Sequence, residues 1–216
     1  MKMSTEVAPD VHQQRLAHSK VVYLTEANLL VDTGPESEWD GLTEFVAERG
    51  DVDRLFVSHN HGDHVGNVER VIETYDPEVL VPENEPLDDV DFGGATVTEV
   101  ADGDEIADGV TVVEVPGHTQ GICGLHLPEK ALLLCTDILD GSDRRGLPAG
   151  FLLPPPAMYT WDSGQAETNL ETLLSLSFDT AVVTHGSNVD EEPRGKLEAY
   201  LDFPNHYRKD LLAELS

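Results

Sequence analysis

Ser58-His59-Asn60-His61-Gly62-Asp63-His64-Val65-Gly66-Asn67 carries three imidazoles and one carboxylate between His59 and His64. The cluster directly follows the apolar run Leu55-Phe56-Val57, so a buried strand hands it to a loop. Neutral imidazole and carboxylate suit zinc and its first-row neighbours. Crowded this closely without a cation, they would be poorly solvated and mutually unsatisfied. His59 and His61 lie two residues apart and can point the same way, while the adjacent Asp63 and His64 diverge and can serve a second ion. Structural metal sites are usually closed by cysteine, and none lies near this cluster, which favours an open, reactive site.

Upstream, Val21 to Leu24 and Asn28 to Asp32 read as paired strands ending in the turn Thr33-Gly34-Pro35. Asp32 sits at a strand end, with two readings open: a turn carboxylate, or a buried group that orients a loop or a ligand. Trp39, Leu42, Phe45 and Val46 share one face of a helix over 39–49, closed by Gly50. Val68, Val71 and Ile72 define another over 65–75, placing the histidine loop between a strand and a helix. Residues 1–20 are polar and weakly patterned, which predicts a loosely ordered N-terminal segment with His12 and His18 facing solvent, away from any metal.

Downstream, Val79 to Val81 is a short strand and 82–91 an acidic loop whose charges stay hydrated. Ala95 to Val100 and Val110 to Val115 alternate as an antiparallel pair joined by the turn 101–105. The second of these strands leads into Pro116-Gly117-His118-Thr119. A hairpin over 121–136 turns at Pro128-Glu129-Lys130 and ends at Asp137. Residues 140–158, rich in Gly and Pro, form a lid or rim. A helix over 165–176, a strand over 180–183 ending at Thr184-His185-Gly186, and a helix over 194–212 complete the chain. Four strand ends thus carry His59, His118, Asp137 and His185, and strand ends along one edge converge where rigid elements can hold a metal. His126 lies inside a strand and His206 inside the last helix, and both read as structural or surface residues.

The chain has 42 acidic and 13 basic residues in 216, a formal charge of -29. Nothing divides it in composition, so a single domain over 1–216 is expected. The acidic shell resembles that of halophilic proteins, where high salt screens the repulsion. It argues against a general grip on nucleic acid, since basic residues are few and scattered apart from pairs such as Arg144 and Arg145. These two either hold an anionic substrate or pair with the acidic surface. No apolar run reaches membrane-spanning length and no signal-peptide core follows Met1, so the expectation is a cytoplasmic protein without a membrane partner. Cys123 and Cys135 sit among apolar neighbours and read as buried thiols.

In five ordered motifs the chain resembles the metallo-beta-lactamase superfamily: Asn28 to Gly34, His59 to His64, Pro116 to Thr119, Cys135-Thr136-Asp137 and Thr184-His185-Gly186. The resemblance covers nearly the whole length and implies an α/β (α+β) chain folded as a four-layer αββα sandwich. It implies a dinuclear centre in which His59, His61 and His118 bind one metal, Asp63, His64 and His185 the other, and Asp137 bridges both. Two Zn2+ ions are expected, with Fe or Mn as alternatives. Thr136 departs from the pattern, because many relatives carry Gly before the bridging Asp. The implied activity is hydrolysis of a small ester, thioester or lactone by a water shared between the metals and delivered as hydroxide, with Asp63 and Asp137 as the catalytic carboxylates. The core is similar to glyoxalase II, although only about thirty residues follow His185. A phosphodiesterase resembling ribonuclease Z, and a metal-binding protein of this fold without turnover, are the alternatives. A small-molecule substrate and a monomer or homodimer complete the expectation. Tyr159 and Trp161 either wall the pocket or anchor packing.

Overall fold

The computed structural model describes residues 4–202. The first half builds a seven-stranded sheet from β1 (Thr5–Ala8), β2 (Val11–Leu16), β3 (Ser19–Leu24), β4 (Leu29–Val31), β5 (Arg54–Phe56), β6 (Glu78–Pro82) and β7 (Val97–Val100), neighbouring one another in chain order. Strands β1 to β4 run antiparallel, and β4 to β7 parallel. The parallel connections carry α1 (Trp39–Ala47), α2 (Gly62–Val65) and α3 (Val68–Tyr75). The second half builds a five-stranded sheet from β8 (Glu105–Ala107), β9 (Val110–Glu114), β10 (Cys123–Leu127), β11 (Leu132–Thr136) and, after the short pair β12 (Asp140–Gly141) and β13 (Leu152–Leu153) and helix α4 (Ser163–Asn169), β14 (Thr180–Val183). Helix α5 (Pro193–Leu201) packs last. Strand β14 lies parallel to β11, and its order in the sheet is β14-β11-β10-β9-β8.

Period-two alternation sorts the side chains into layers. On the shared side, Val22, Leu24, Val31, Phe56 and Leu80 meet Val112, Leu125, Leu132, Leu134 and Val182 from the other sheet. On the outer side of the first sheet, Val21, Tyr23, Leu30, Leu55 and Val79 bury Leu42 and Phe45 of α1 and Val68 and Val71 of α3. On the outer side of the second, Leu133, Cys135, Ala181 and Val183 bury Leu170, Leu173 and Leu197. The layers therefore run helix, sheet, sheet, helix, the αββα sandwich that the motifs imply. Both faces of each central strand are covered, which is why these strands read as continuous apolar runs.

Two expectations need correction. The N-terminal stretch is not loose: β1 and β2 are part of the seven-stranded sheet, with Val11 and Leu16 fully buried. Its polar residues misled because β2 interleaves them with the core, and two of them, Gln13 and Gln14, are buried and hydrogen-bonded. Residues 95–100 and 110–115 are not a hairpin: β7 belongs to the first sheet and β9 to the second, so 101–105 is where the chain crosses between sheets. Within 140–158, β12 pairs with β13 and folds the stretch back on itself. The last helix is described only over Pro193–Leu201, so the rest of the helix expected over 194–212, with His206, lies outside the described residues. No described helix is long and apolar enough to cross a membrane.

Candidate metal centre

The ends of β5, β9, β11 and β14 open on the same edge of the sandwich, and all seven side chains singled out from the sequence meet there. Ligand-type atoms of His59, His61 and His118 form one group, those of Asp63, His64 and His185 a second, and those of His59, His64 and Asp137 a third, each drawn within 4.8 Å of one another. Asp137 stands between the outer two groups, with its Oδ2 3.5 Å from His118 Nε2 and 3.2 Å from His185 Nε2. Asp63 Oδ2 also lies 3.2 Å from His185 Nε2. Helix α2 separates the neighbours Asp63 and His64, turning the imidazole into the protein and leaving the carboxylate one-fifth exposed.

The outer nitrogens of these rings are held by the protein, which decides what the inner ones do. His64 Nδ1 is 2.7 Å from Asp32 Oδ2. Asp32 also accepts from the Ser58 amide at 2.8 Å and the Ser58 hydroxyl at 2.8 Å, and that hydroxyl in turn faces His59 Nδ1 at 3.0 Å. One buried carboxylate therefore orients two rings and leaves each Nε2 turned inward, the orienting reading of Asp32. His185 Nδ1 contacts the carbonyl of His18 at 2.9 Å, and His118 Nδ1 faces Thr160 Oγ1 at 3.4 Å.

Burial, then the neighbouring His64, lowers the pKa of His59 well below the ordinary value and also lowers that of His61. Burial is again the main cause for His118, brought down to about 4, with His61 and His64 adding to it. These three imidazoles are neutral, the ligand form, at physiological pH. Burial works the same way on His64 and His185, but the flanking carboxylates overcome it: Asp137 and Asp32 hold His64 well above its usual value, and Asp137 and Asp63 raise His185 to about 9. Against burial, the same imidazoles keep Asp137 well below the usual carboxylate range and Asp63 at about 2.

The donor set fits divalent cations on its own terms. His59 Nε2, His64 Nε2 and Asp137 Oδ1 are buried without a hydrogen-bond partner; His64 Nε2 and Asp137 Oδ1 face each other at 3.4 Å but not in hydrogen-bond geometry. Buried lone pairs are costly to leave unmatched, and convergent imidazole and carboxylate lone pairs match a cation.

Three contributors escape a sequence reading. Glu85, in the acidic loop expected to do nothing but stay hydrated, is buried, and its Oε1 accepts from the Asn60 amide at 3.0 Å. Its Oε2 accepts from Thr119 Oγ1 at 2.7 Å and the Gly121 amide at 2.9 Å. One carboxylate thus ties the His59-His61 loop to the His118 loop; burial pushes its pKa up, with the three donors working against the shift. Gly121 must stay glycine here, because a Cβ would lie 2.3 Å from the Asn84 carbonyl carbon and the Glu85 nitrogen. His18 faces solvent as expected but is not remote from the centre: its Nε2 lies 3.4 Å from Asp63 Oδ2 and its ring stacks on His185 at 6.2 Å between ring centroids. Lys20 donates to the Gly186 carbonyl at 2.7 Å and to Asn188 Oδ1 at 3.1 Å, bracing the turn that carries His185. His18 lies in the turn between β2 and β3 and Lys20 near the start of β3, and nothing in this polar segment of the sequence marks either.

Arg144 is 2.7 Å from the fully buried Asp140, and Arg145 donates to the Pro154 carbonyl, so both guanidinium groups have intramolecular partners. His126 contacts the Ser177 carbonyl at 2.9 Å, apart from the centre. Cys123 and Cys135 are buried and unpaired.

Comparison with known proteins agrees with this architecture. Residues 17–185 match the model of the Metallo-beta-lactamase superfamily, and the chain belongs to that family. Among curated relatives, the hydroxyacylglutathione hydrolase of Ectopseudomonas mendocina is 36% identical over 172 residues, covering 73% of this chain and 64% of the relative. That of Rhizobium etli is 32% identical over 145 residues, covering 65% of this chain and 51% of the relative, so this chain matches about half the relative's length. Among solved structures, a metallo-beta-lactamase from Pontibacter korlensis superposes with a TM-score of 0.73 at 16% identity, covering 95% of this chain and 100% of that one. TTHA1623 in a di-iron-bound form gives 0.63 at 22% identity, covering 94% and 98%.

Proposed function

We propose that this chain is a dinuclear metal-dependent hydrolase of small esters, thioesters or lactones. The observation that carries it is the meeting of seven side chains from four strand ends around inward-facing buried ligand atoms, three of which have no hydrogen-bond partner. His59, His61 and His118 would hold one cation, Asp63, His64 and His185 the second, and Asp137 both; zinc suits this nitrogen-rich set best, with iron and manganese as alternatives. Bound there, two cations supply Lewis acidity, easing deprotonation of water and stabilising negative charge on an attacked carbonyl.

The rest is done by the chain. Asp63, partly exposed at the centre, would accept a hydrogen bond from the attacking water and aim it. Asp32, Ser58 and the His18 carbonyl hold the imidazole tautomers, and Glu85 holds the spacing of two ligand loops. In the overall reaction the oxygen of water joins the acyl carbon, the bond to sulfur or oxygen breaks, and the thiol or alcohol leaves with a proton. Sequence similarity to hydroxyacylglutathione hydrolases supports acyl rather than phosphoryl chemistry.

The test is a thioester and ester panel run at high salt with zinc and manganese supplied separately, beside bis-p-nitrophenyl phosphate. Acyl hydrolysis that disappears in His61→Ala and in Asp137→Ala is expected. Near-full activity in either variant, or turnover of the phosphodiester alone, would overturn the reading.

A further inference from the structure

A cavity of about 400 Å³ opens directly against His61 and His118. One wall is Met158, Tyr159 and Trp161, which are 78%, 54% and 60% exposed and make up half of the large apolar side chains most exposed among the described residues. Pro86 also lines the cavity, and the polar lining from Asn60, Thr119, Gln120 and Thr160 is uncharged apart from the two imidazoles. No Lys or Arg lines the cavity. Arg144 and Arg145, the cations nearest in sequence to the Met158–Trp161 wall, are engaged by Asp140 and by the Pro154 carbonyl.

The apolar wall is fixed to the centre. The Trp161 amide donates to the His118 carbonyl at 2.9 Å, and the Asp162 amide to the Gly117 carbonyl at 2.9 Å. Gly117, at φ 145°, lets this join close: a Cβ there would come within 2.3 Å of the Ala166 backbone in the middle of α4. A substrate whose carbonyl reaches His61 and His118 can therefore lay its next group along Met158 and Trp161. An aromatic or alkyl group there buries apolar surface, whereas a carboxylate carried along this wall, away from the ligand imidazoles, finds no Lys or Arg among the lining residues and meets the field of a strongly acidic chain.

Resting on the hydrolase reading, we propose that this cavity is a binding site for an uncharged aromatic or apolar group beside the scissile bond, and that it selects against anionic substrates such as glutathione thioesters. The affinity difference comes from burial on one side and from an unpaired carboxylate on the other.

The proposal is tested with two substrates sharing one acyl group, S-benzyl thioacetate and S-acetylglutathione, on the zinc-loaded protein. The neutral thioester is expected to have a kcat/KM at least about tenfold higher, and Trp161→Ala and Met158→Ala to bring the ratio toward unity through KM. A second arm needs no turnover: in a Trp39→Phe background, Trp161 is the sole tryptophan, and its fluorescence is titrated with 4-phenyl-2-butanone, the carbon isostere of the neutral thioester, and with S-methylglutathione. A saturable change with the ketone and none with the glutathione conjugate supports the site. An equal or higher kcat/KM for S-acetylglutathione, an unchanged ratio in both variants, or a response to the glutathione conjugate alone or to neither ligand overturns it. Ketone binding without any acyl turnover would sink the hydrolase reading and leave the site standing.

Discussion

Glu85→Gln removes one acceptor oxygen and adds two donors without changing shape. Glu85 accepts three hydrogen bonds, at 3.0, 2.7 and 2.9 Å, from donors on two separate ligand loops. In its better orientation a glutamine keeps the bonds to Thr119 and Gly121 and turns its amide nitrogen against the Asn60 N–H, so two donors face each other between His59 and His61. Losing one bond to a charged acceptor costs about 1.5–3 kcal/mol. If that loss is expressed wholly as looser spacing between His59, His61 and His118, it weakens cation binding by about 10- to 100-fold, the range for groups that orient metal ligands. The assay is competition for zinc against a chromophoric chelator, with thermal unfolding followed in parallel. Glu114→Gln is the control, since Glu114 accepts only from Asn84 Nδ2 and touches neither loop. Should Glu85→Gln fold poorly, Thr119→Val removes one of the three donors and is expected to weaken zinc by about fivefold. A folded Glu85→Gln protein binding zinc within twofold of the parent refutes the reasoning.

The Lys20 pKa is lowered to about 8 from 10.5, by burial first and then by Arg15. Below pH 8 Lys20 is charged in folded and unfolded chains alike and its burial counts fully against the fold; from 8 to 10.5 the folded chain sheds the proton first, lifting a penalty of at most about 3 kcal/mol. Denaturant unfolding at pH 7.5 and 10 is therefore expected to shift in favour of the parent over Lys20→Gln as pH rises, and parallel curves would disprove it. Burial pushes both cysteine thiols up, so a disulfide reagent should find no fast-reacting thiol in the native protein and two after denaturation. With a formal charge of -29, molar KCl should raise the melting temperature of a dilute sample, and a flat response would count against a salt-adapted surface.

The ligand positions were legible because they obey a local rule: each follows the end of a strand, and the strands before His59, Asp137 and His185 are short apolar runs that are hard to mistake. Thr136 was legible as an oddity, and the structure gives its reason. It sits at φ 48°, where glycine is at ease, and its hydroxyl bonds the Cys123 carbonyl at 3.0 Å and its own neighbour's at 2.8 Å. Glu85 was illegible, since nothing in Pro82-Glu83-Asn84-Glu85 separates a hydrated carboxylate from a buried one. The difference lies in donors 25 and 34 residues away. The break between β7 and β9 was hidden for a similar reason: alternation tells which faces a strand has, and not which sheet it joins.

The N-terminal hairpin shows how this changes the view of the centre. Gln13 donates to the Val183 carbonyl at 3.1 Å and accepts from Asn188 at 2.8 Å, Lys20 caps Gly186, and His18 lends its carbonyl to His185. Strands β2 and β3 belong to the sheet opposite β14, so the hold on His185 is a bond between sheets. Glu85 does the same at the other end, tying a loop of the first sheet to the turn after β9 in the second. A centre whose ligands come from both sheets is only as precise as the register between them, and apolar packing alone leaves that register free to slide by fractions of an ångström. The polar ties at its two ends remove that freedom, which is why their residues lie beside the ligands and not in the core.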